Sequence, residues 1–258
     1  MSKLVQLVES SLSDKETVIK QVATIKKECA PFIKYLRKNT DRLLFRGMRG
    51  KKEFGIQTRR KDRQPLNTHP MYDKLINLAL DEEGVITRNE GIFCAINPYQ
   101  PQEFGKVYAI FPKGKFDFYY VDGISDITFD LQLAKHDEVV QTFPKGFMDL
   151  LTSYALKARD VENFFDKYYD SILEYSETEE GDGFQWGNKY ELDDLKYKLD
   201  KIVSSIKGKV VKNKFPRNDK YEIVLNTDKY YYIDWEWYTN IAVIMTGLSK
   251  EEKDLLTF

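Results

Sequence analysis

The sequence has very few of the residues that bind zinc or build disulfide frameworks. Two of its 258 residues are cysteine and two are histidine. Cys29 falls in a predicted helix and Cys94 in an apolar strand, and neither His69 nor His136 has a cysteine or histidine neighbour at ligand spacing. We therefore expect no disulfide framework, no metal cofactor and a reducing, cytoplasmic setting. A site built from carboxylates alone stays open.

Long apolar runs are also missing. No stretch approaches the roughly 18 consecutive apolar residues that a membrane-spanning helix requires. The N-terminal "MSKLVQLVESSLSDKE" carries acidic and polar residues where a signal peptide would be apolar. We therefore expect a soluble protein with no membrane partner.

The chain has almost no net charge, with a formal value of -1, but its charges are segregated. Nine basic residues lie between Arg42 and Arg63 against two acidic ones, and residues 160–182 carry nine acidic residues against one lysine. This asymmetry indicates one side that faces a polyanion and one that is solvated and acidic. The alternative, which is the commoner case for charge runs, is two ordinary surface loops.

Apolar spacing predicts an N-terminal amphipathic helix, with a capping box at Ser13 and Glu16. Pro31 is expected to kink the helix, and Asn39-Thr40 to end it. The apolar stripe consists of Val18, Val22, Ile25, Cys29, Phe32 and Leu36. A second helix is expected with Thr68 as its cap and His69 at its start. It is expected to stop at Gly84.

Three later segments repeat the helical spacing after residue 144: "GFMDLLTSYALKAR", "VENFFDKYYDSILEYSE" and "ELDDLKYKLDKIVSSIK". The stretch "SETEEGDGFQWGN" between the last two predicts an exposed loop, because it is rich in glycine and acid.

Short apolar runs bounded by turn residues predict the strands. "RLLFRG" is expected to be a buried strand that stops at Arg46-Gly47, followed by a long loop to Thr68. "EGIFCAIN", "KVYAIFP" and "KFDFYYV" predict three further strands, the last paired with its predecessor. "KYEIVLNTDKYYYIDW" predicts a hairpin that turns at Asn226 to Asp228.

These elements predict an α+β protein with a mixed, largely antiparallel β core, an N-terminal helix and a helical insertion. The predicted organisation is a helical segment over residues 1–40, the first part of the sheet core with its basic loop over 41–130, the helical insertion over 131–207, and the final strands over 208–258.

Three places carry candidate functional side chains: Arg46 at a strand end, Arg88 with Asn89 before another strand, and Glu222 in a late strand. Alternation puts Glu222 on the same face as Val224. A carboxylate there is paired, exposed on an edge or functional, and edge exposure is the commonest of these.

This order of parts resembles the ADP-ribosyltransferase superfamily, in its arginine-serine-glutamate branch. In that family the first core strand ends in Arg-Gly, as "LFRG" does here, and a later strand carries the catalytic glutamate, as "EIVLNTDKYYYID" does from Glu222. The resemblance covers about residues 42–121 and 221–234 and implies the family's split sheet. "RKDRQP" and "FGKVYAIFP" also look like features of uncharacterised bacteriophage proteins, which would place the chain in a host cytoplasm.

The resemblance implies that NAD is the substrate and that Glu222 is the catalytic carboxylate, with Arg46 on the diphosphate or the adjoining ribose. It implies an acceptor or phosphate contact for two residues, Arg59 and Arg60. The further cofactor contacts it implies are Arg63, Arg88, Asn89 and Phe93, and Tyr99 is a second candidate for stacking on nicotinamide or a base.

The sequence departs from the family pattern in two places. The middle strand has Cys94 and Ala95 where the family has hydroxyl residues, and either Thr87 or Asn89 would have to stand in. Lys220 occupies the position where arginine-modifying members carry a second acidic residue, so protein arginine is a poor candidate acceptor. DNA or RNA remains a candidate, and the oligomeric state is open.

A second class of function fits the same residues: a non-enzymatic phage nucleic-acid-binding or virion-associated protein whose contact surface is the basic segment Arg42 to Arg63. Independently of either class, Arg46 could be a structural residue paired with Asp62 or Asp126, and Arg88 could cap a neighbouring carboxylate. A third reading is a fold that has kept its shape and lost its activity. The enzyme requires Arg46 and Glu222 to converge, whereas the binder requires only a shared exposed face of arginines.

Overall fold

The predicted α+β class is confirmed by a computed structural model, which describes residues 17, 19–39, 42–61, 68–125, 145–165 and 189–236. The helices are α1 (19–28), α2 (Ala30–Asn39), α3 (Pro70–Glu82), α4 (Lys145–Lys157), α5 (Val161–Phe164) and α6 (Lys189–Ile206), with a 3₁₀ helix at Gln100–Phe104. The strands are β1 (Leu44–Met48), β2 (Phe54–Thr58), β3 (Ile92–Cys94), β4 (Lys106–Pro112), β5 (Asp117–Val121), β6 (Val210–Lys212), β7 (Ile223–Asn226) and β8 (Lys229–Asp234).

The strands form two four-stranded sheets, with the orders β1-β4-β8-β2 and β3-β7-β5-β6. The chain divides into two compact units. Unit 1 comprises Met1–Arg59, Ile92–Phe118 and Phe215–Phe258, and unit 2 comprises Arg60–Gly91 and Tyr119–Lys214.

The core of unit 1 forms where the N-terminal helices pack on the strands. Ile25, Cys29 and Phe32 have no exposed surface, which confirms the predicted apolar stripe. The helix is interrupted at Cys29, two residues before Pro31, in agreement with the predicted kink. Phe32 makes edge-to-face contacts with Phe111 and Phe116. The predicted capping box lies outside the described residues.

Strand β1 does not stop where the sequence predicted. Arg46 lies at its centre, and Gly47 and Met48 continue the antiparallel pairing with Val107 and Lys106. Gly47 serves close packing rather than strand termination, because a Cβ there would overlap the carbonyl oxygen of Pro101 in the 3₁₀ helix.

Strand β2 was missed, because the sequence predicted a loop from Gly47 to Thr68. It pairs antiparallel with β8, from Phe54 opposite Ile233 to Thr58 opposite Lys229. Its side chains are half-buried or exposed, so the strand lacks the buried apolar run by which the others were found.

Neither predicted hairpin forms. Strands β4 and β5 belong to different sheets, and so do β7 and β8. Each short link carries the chain from one sheet to the other. The buried Thr227 joins the two links, because its hydroxyl lies 3.3 Å from the carbonyl oxygen of Lys115 and 3.1 Å from that of Lys229. The turn residues predicted the positions at which the chain reverses. They did not predict which sheet the next strand joins.

Unit 2 is mainly helical. Helix α3 packs against α4 and α6, and β5 pairs with β6 from Tyr119 opposite Lys212 to Val121 opposite Val210. The helix cap is His69 rather than the predicted Thr68, since its Nδ1 accepts a hydrogen bond from the Met71 amide at 3.4 Å. The predicted glycine- and acid-rich loop lies outside the described residues.

Candidate active site

Arg46 is held between two strands of unit 1. Its half-buried guanidinium donates from Nη1 to the carbonyl oxygen of Phe93, at 3.0 Å. Beside it, Phe45 and Ala95 exchange backbone hydrogen bonds of 2.7 and 2.8 Å. Strand β1 is therefore joined to the end of β3, and the arginine is fixed against the middle strand that the sequence had singled out.

Glu222 directly precedes β7 and is half-buried. In the antiparallel pairing of β3 with β7, Cys94 lies opposite Ile223, so the next register position places Glu222 opposite Ala95. Strand β7 lies between β3 and β5 in its sheet. The strand that Glu222 leads into is therefore internal, while Glu222 itself lies just before the paired residues.

The thiol of Cys94 is the group on which both charged side chains act. Burial raises the pKa of this thiol to about 12, the Arg46 guanidinium lowers it by a smaller amount, and the Glu222 carboxylate raises it. An arginine from β1 and a glutamate from the start of β7 thus lie within electrostatic reach of one side chain on β3. The thiol is neutral at physiological pH.

Arg59 lies at the other end of β7. Its side chain is 11% exposed, and Nη1 donates to Oδ1 of Asn226 at 2.9 Å while Nη2 lies 3.6 Å from the Asp228 carboxylate. Asn226 donates in turn to Oδ2 of Asp117 at 3.0 Å. The guanidinium therefore ties β2 to the β7–β8 link.

The remaining basic candidates are distributed differently. Arg60 is exposed, and Arg63 lies outside the described residues. Arg42 donates to the carbonyl oxygen of Pro216 at 2.9 Å. The described part of the basic segment is therefore not one continuous face of free arginines.

Arg88 and Asn89 belong to unit 2, where they join a polar network buried beside α3. The Asn89 and Asn77 amides donate to Oδ2 of Asp73 at 2.9 and 3.1 Å, and Oδ1 of Asn77 accepts from the Arg88 backbone amide at 2.8 Å. The sequence analysis missed Asp73 and Asn77. Their signal is two polar residues, four positions apart, on an otherwise buried helix.

Phe93 lies on β3 between Ile92 and Cys94 and is half-buried, whereas Tyr99 is 75% exposed on the loop that follows. That loop is anchored beside Glu222: the Gln100 side chain donates to the Lys220 carbonyl oxygen at 3.0 Å. The two aromatic candidates thus lie before and after the bridge at Ala95.

No protein-family model, curated protein or solved structure significantly matches this chain. Among the described residues, none of the helices combines the length and apolar character needed to cross a bilayer. The same residues contain no cluster of three or more histidine, cysteine or acidic side chains arranged to hold a metal ion.

The arrangement in unit 1 has a definite chemical capacity. A guanidinium binds phosphate oxygens with its fork of N–H donors, and a carboxylate offsets a positive charge that develops on a sugar. Arg46 is positioned by the backbone pairing of β1, and Glu222 directly precedes the paired strand β7.

Proposed function

We propose that the chain is an ADP-ribosyltransferase-like enzyme, which cleaves the nicotinamide–ribose bond of NAD and transfers ADP-ribose to an acceptor. The observation that carries the proposal is the strand pairing around β3: Phe45, next to Arg46, exchanges backbone hydrogen bonds with Ala95, and Ile223, next to Glu222, lies opposite Cys94. Arg46 and Glu222 are the two residues that the family resemblance selects. They come from β1 and from the residue just before β7, and these two strands flank β3.

In the proposed reaction, the bond between C1 of the ribose and the nicotinamide nitrogen breaks, and its electron pair leaves with nicotinamide. Positive charge develops on the ribose, and the Glu222 carboxylate stabilises it. A lone pair on the acceptor then forms the new bond to C1, and the acceptor loses a proton. DNA or RNA is the proposed acceptor class.

Arg46 is proposed to hold the diphosphate. A guanidinium carries five N–H donors and stays charged at any working pH. The hydrogen bond to the Phe93 carbonyl oxygen orients the fork, so part of the entropy cost of ordering this side chain is met before the cofactor binds.

Cys94 is proposed to occupy the place of the family's first hydroxyl residue. A neutral thiol is a weaker hydrogen-bond donor than a serine hydroxyl. We therefore expect a slower enzyme than one with serine, because a buried thiol would orient Glu222 less firmly than a serine hydroxyl.

The nucleic-acid-binding alternative rests on the basic segment. Three of its arginines, Arg42, Arg46 and Arg59, donate to acceptors of the protein itself. A binder that relies on phosphate contacts would instead present these guanidinium groups together on one surface. The described part of the basic segment therefore gives the binder less support than the sequence did.

The deciding experiment incubates the protein with labelled NAD and a panel of protein, DNA and RNA acceptors. Glu222→Gln is expected to reduce nicotinamide release and labelling by about a hundredfold or more, because the developing charge loses its counter-ion. Asp219→Asn is the matched control, since Asp219 is an exposed acid in the same loop. Equal turnover by wild type and Glu222→Gln, or no turnover with any acceptor, would contradict the proposal.

Binding is tested separately by thermal unfolding. Saturating NAD is expected to raise the Tm of the wild type but not that of Arg46→Ala, because a ligand stabilises only the state that binds it. Arg49→Ala, an exposed arginine just after β1, is expected to keep the shift. A shift retained in Arg46→Ala removes that residue from the cofactor site.

A further inference from the structure

The outer edge of β2 is a candidate binding surface. Strand β2 ends the sheet order β1-β4-β8-β2. Within the part of the chain that the structure describes, β8 is its one strand neighbour. A strand with one neighbour presents a row of backbone donors and acceptors along its other side.

The hydrogen-bond pattern shows which groups form that row. The Arg59 amide donates to the Asp228 carbonyl oxygen at 2.9 Å, and the Asp234 amide donates to that of Glu53 at 2.6 Å. Residues 53 and 59 therefore face β8, and antiparallel alternation turns the N–H and C=O groups of Phe54, Ile56 and Thr58 outward.

The side chains along this edge have a distinct chemistry. Ile56, at the centre, is 47% exposed. The cations Lys51 and Lys52 precede the strand and Arg60 and Lys61 follow it, and all four are exposed. The edge is thus an apolar centre with two cations before it and two after it, although the exposed Glu53 lies between Lys52 and the strand.

We propose that this edge binds an extended acidic segment of a partner protein as an added β-strand. Backbone pairing with Phe54, Ile56 and Thr58 would supply affinity, Ile56 would contact an apolar side chain, and acidic residues at both ends of the segment would select it.

Two other occupants fit the edge less well. In an antiparallel pair of two copies, Lys51 and Lys52 of one copy would oppose Arg60 and Lys61 of the other, and like charges in facing positions are destabilising. Nucleic acid would contact the cations through phosphates but would leave the outward row of backbone groups without partner strands.

The test uses the full chain and a fluorescent peptide with acidic ends and an alternating centre, Glu-Asp-Val-Thr-Val-Asp-Glu. Its binding is followed by anisotropy. The control peptide replaces every acidic residue with lysine. We expect binding of the acidic peptide alone, with affinity that falls as salt rises, because exposed charge pairs are screened.

Ile56→Pro isolates the backbone contribution. It removes an outward N–H but no hydrogen bond to β8, so proline is compatible with this edge position. We expect the affinity to fall at least about tenfold. Ile56→Thr is the matched control, since it keeps the N–H and is expected to lose less affinity. The double variant Lys51→Glu with Lys52→Glu is expected to weaken binding by about tenfold at low salt.

A measurement on the wild type needs no variant. The peptide is expected to slow hydrogen exchange at the Phe54, Ile56 and Thr58 amides, while the inward amides of Gly55 and Gln57 change little. Unchanged exchange at the outward amides overturns the proposal, and so does equal binding of both peptides. Binding of single-stranded DNA in place of the peptide assigns the edge to nucleic acid and also overturns it. Glu222→Gln is expected to bind the peptide normally, so failure here is distinguishable from failure of the proposed enzyme.

Discussion

Two polar clusters that contain candidate functional residues are built differently. Around Asp73 in unit 2, side-chain amides donate to a carboxylate, and a neighbouring backbone amide donates to Asn77, so the buried polar groups bond to one another. Around Cys94 in unit 1, a cation and an anion act on a neutral thiol. The first arrangement stabilises the fold through hydrogen bonds, whereas the second places a buried thiol in the field of two opposite charges.

The largest difference expected between the two clusters is in the effects of Glu222→Gln and Asp73→Asn on turnover and stability. Glu222→Gln is expected to lower NAD turnover by about a hundredfold with little change in the free energy of unfolding. Asp73→Asn is expected to keep turnover and to lose about 1–3 kcal/mol of stability, because its new N–H₂ group faces amide donors. Turnover assays and urea unfolding of both variants check this, and a reversed pattern would refute the division of roles.

The two units also differ in why they need particular glycines. Gly47→Ala is expected to cost about 2 kcal/mol of stability, because the added Cβ meets the backbone of Pro101, which cannot move aside cheaply. Gly84→Ala in unit 2 is expected to cost about 1 kcal/mol, from placing alanine at a φ of +64°, since the added Cβ would meet the flexible Lys212 side chain at an ordinary 3.7 Å. Urea unfolding ranks the two, and a larger loss for Gly84→Ala would contradict the packing argument.

The ionisation of the two thiols at high pH tests whether they are buried in the core of unit 1. The pKa values of Cys29 and Cys94 are both raised by burial from 9.0 to about 12. Each thiol contributes stability fully below about pH 9, and this contribution is lost as the pH rises toward 12. We expect slow alkylation of both thiols in the native protein at pH 8, fast alkylation in urea, and a lower urea midpoint at pH 10 than at pH 8.

Cys94→Ser separates that thiol from Cys29. A reduced dependence of the urea midpoint on pH is expected for this variant. Rapid alkylation of native Cys94 at pH 8 would contradict the burial of the thiol.

The smallest effect concerns Asn89, which the resemblance assigns to the cofactor. Asn89→Ala removes one hydrogen bond to Asp73 and is expected to cost about 1 kcal/mol of stability. The KM for NAD is expected to stay unchanged, because the amide is engaged within unit 2. A raised KM with unchanged stability would return Asn89 to the cofactor site.

Local pattern was sufficient for most elements of the fold. The helical stripe from Val22 to Leu36 and the strands β3, β4 and β5 follow from apolar spacing, because burial of one face imposes a period on the sequence. Strand β2 was not predicted, because it lies at a sheet edge and its side chains are half-buried or exposed. Both hairpins were wrong because a tight turn is compatible with pairing to the previous strand and with crossing to another sheet.

The residues of the candidate site also differ in whether the sequence predicted them. Arg46 and Glu222 were selected from their strands and from the family resemblance, and the structure places both near Cys94. The sequence offered one signal for the Asp73 network, the polar pair Asp73 and Asn77 on a buried helix, but not its link to Asn89, because that contact depends on the tertiary structure. The hydrogen bonds of Arg42 and Arg59 were equally invisible, since their acceptors lie more than 160 positions along the chain.

What the sequence by itself determined is most of the helices and strands, the α+β class and the residue types available for chemistry, because periodicity and composition are local properties. Tertiary structure alone decided which sheet each strand joined, that Arg59 is tied down while Arg60 is exposed, and that Arg46 and Glu222 act on one thiol. These outcomes depend on contacts between residues distant along the chain, and such contacts leave no period in a single sequence.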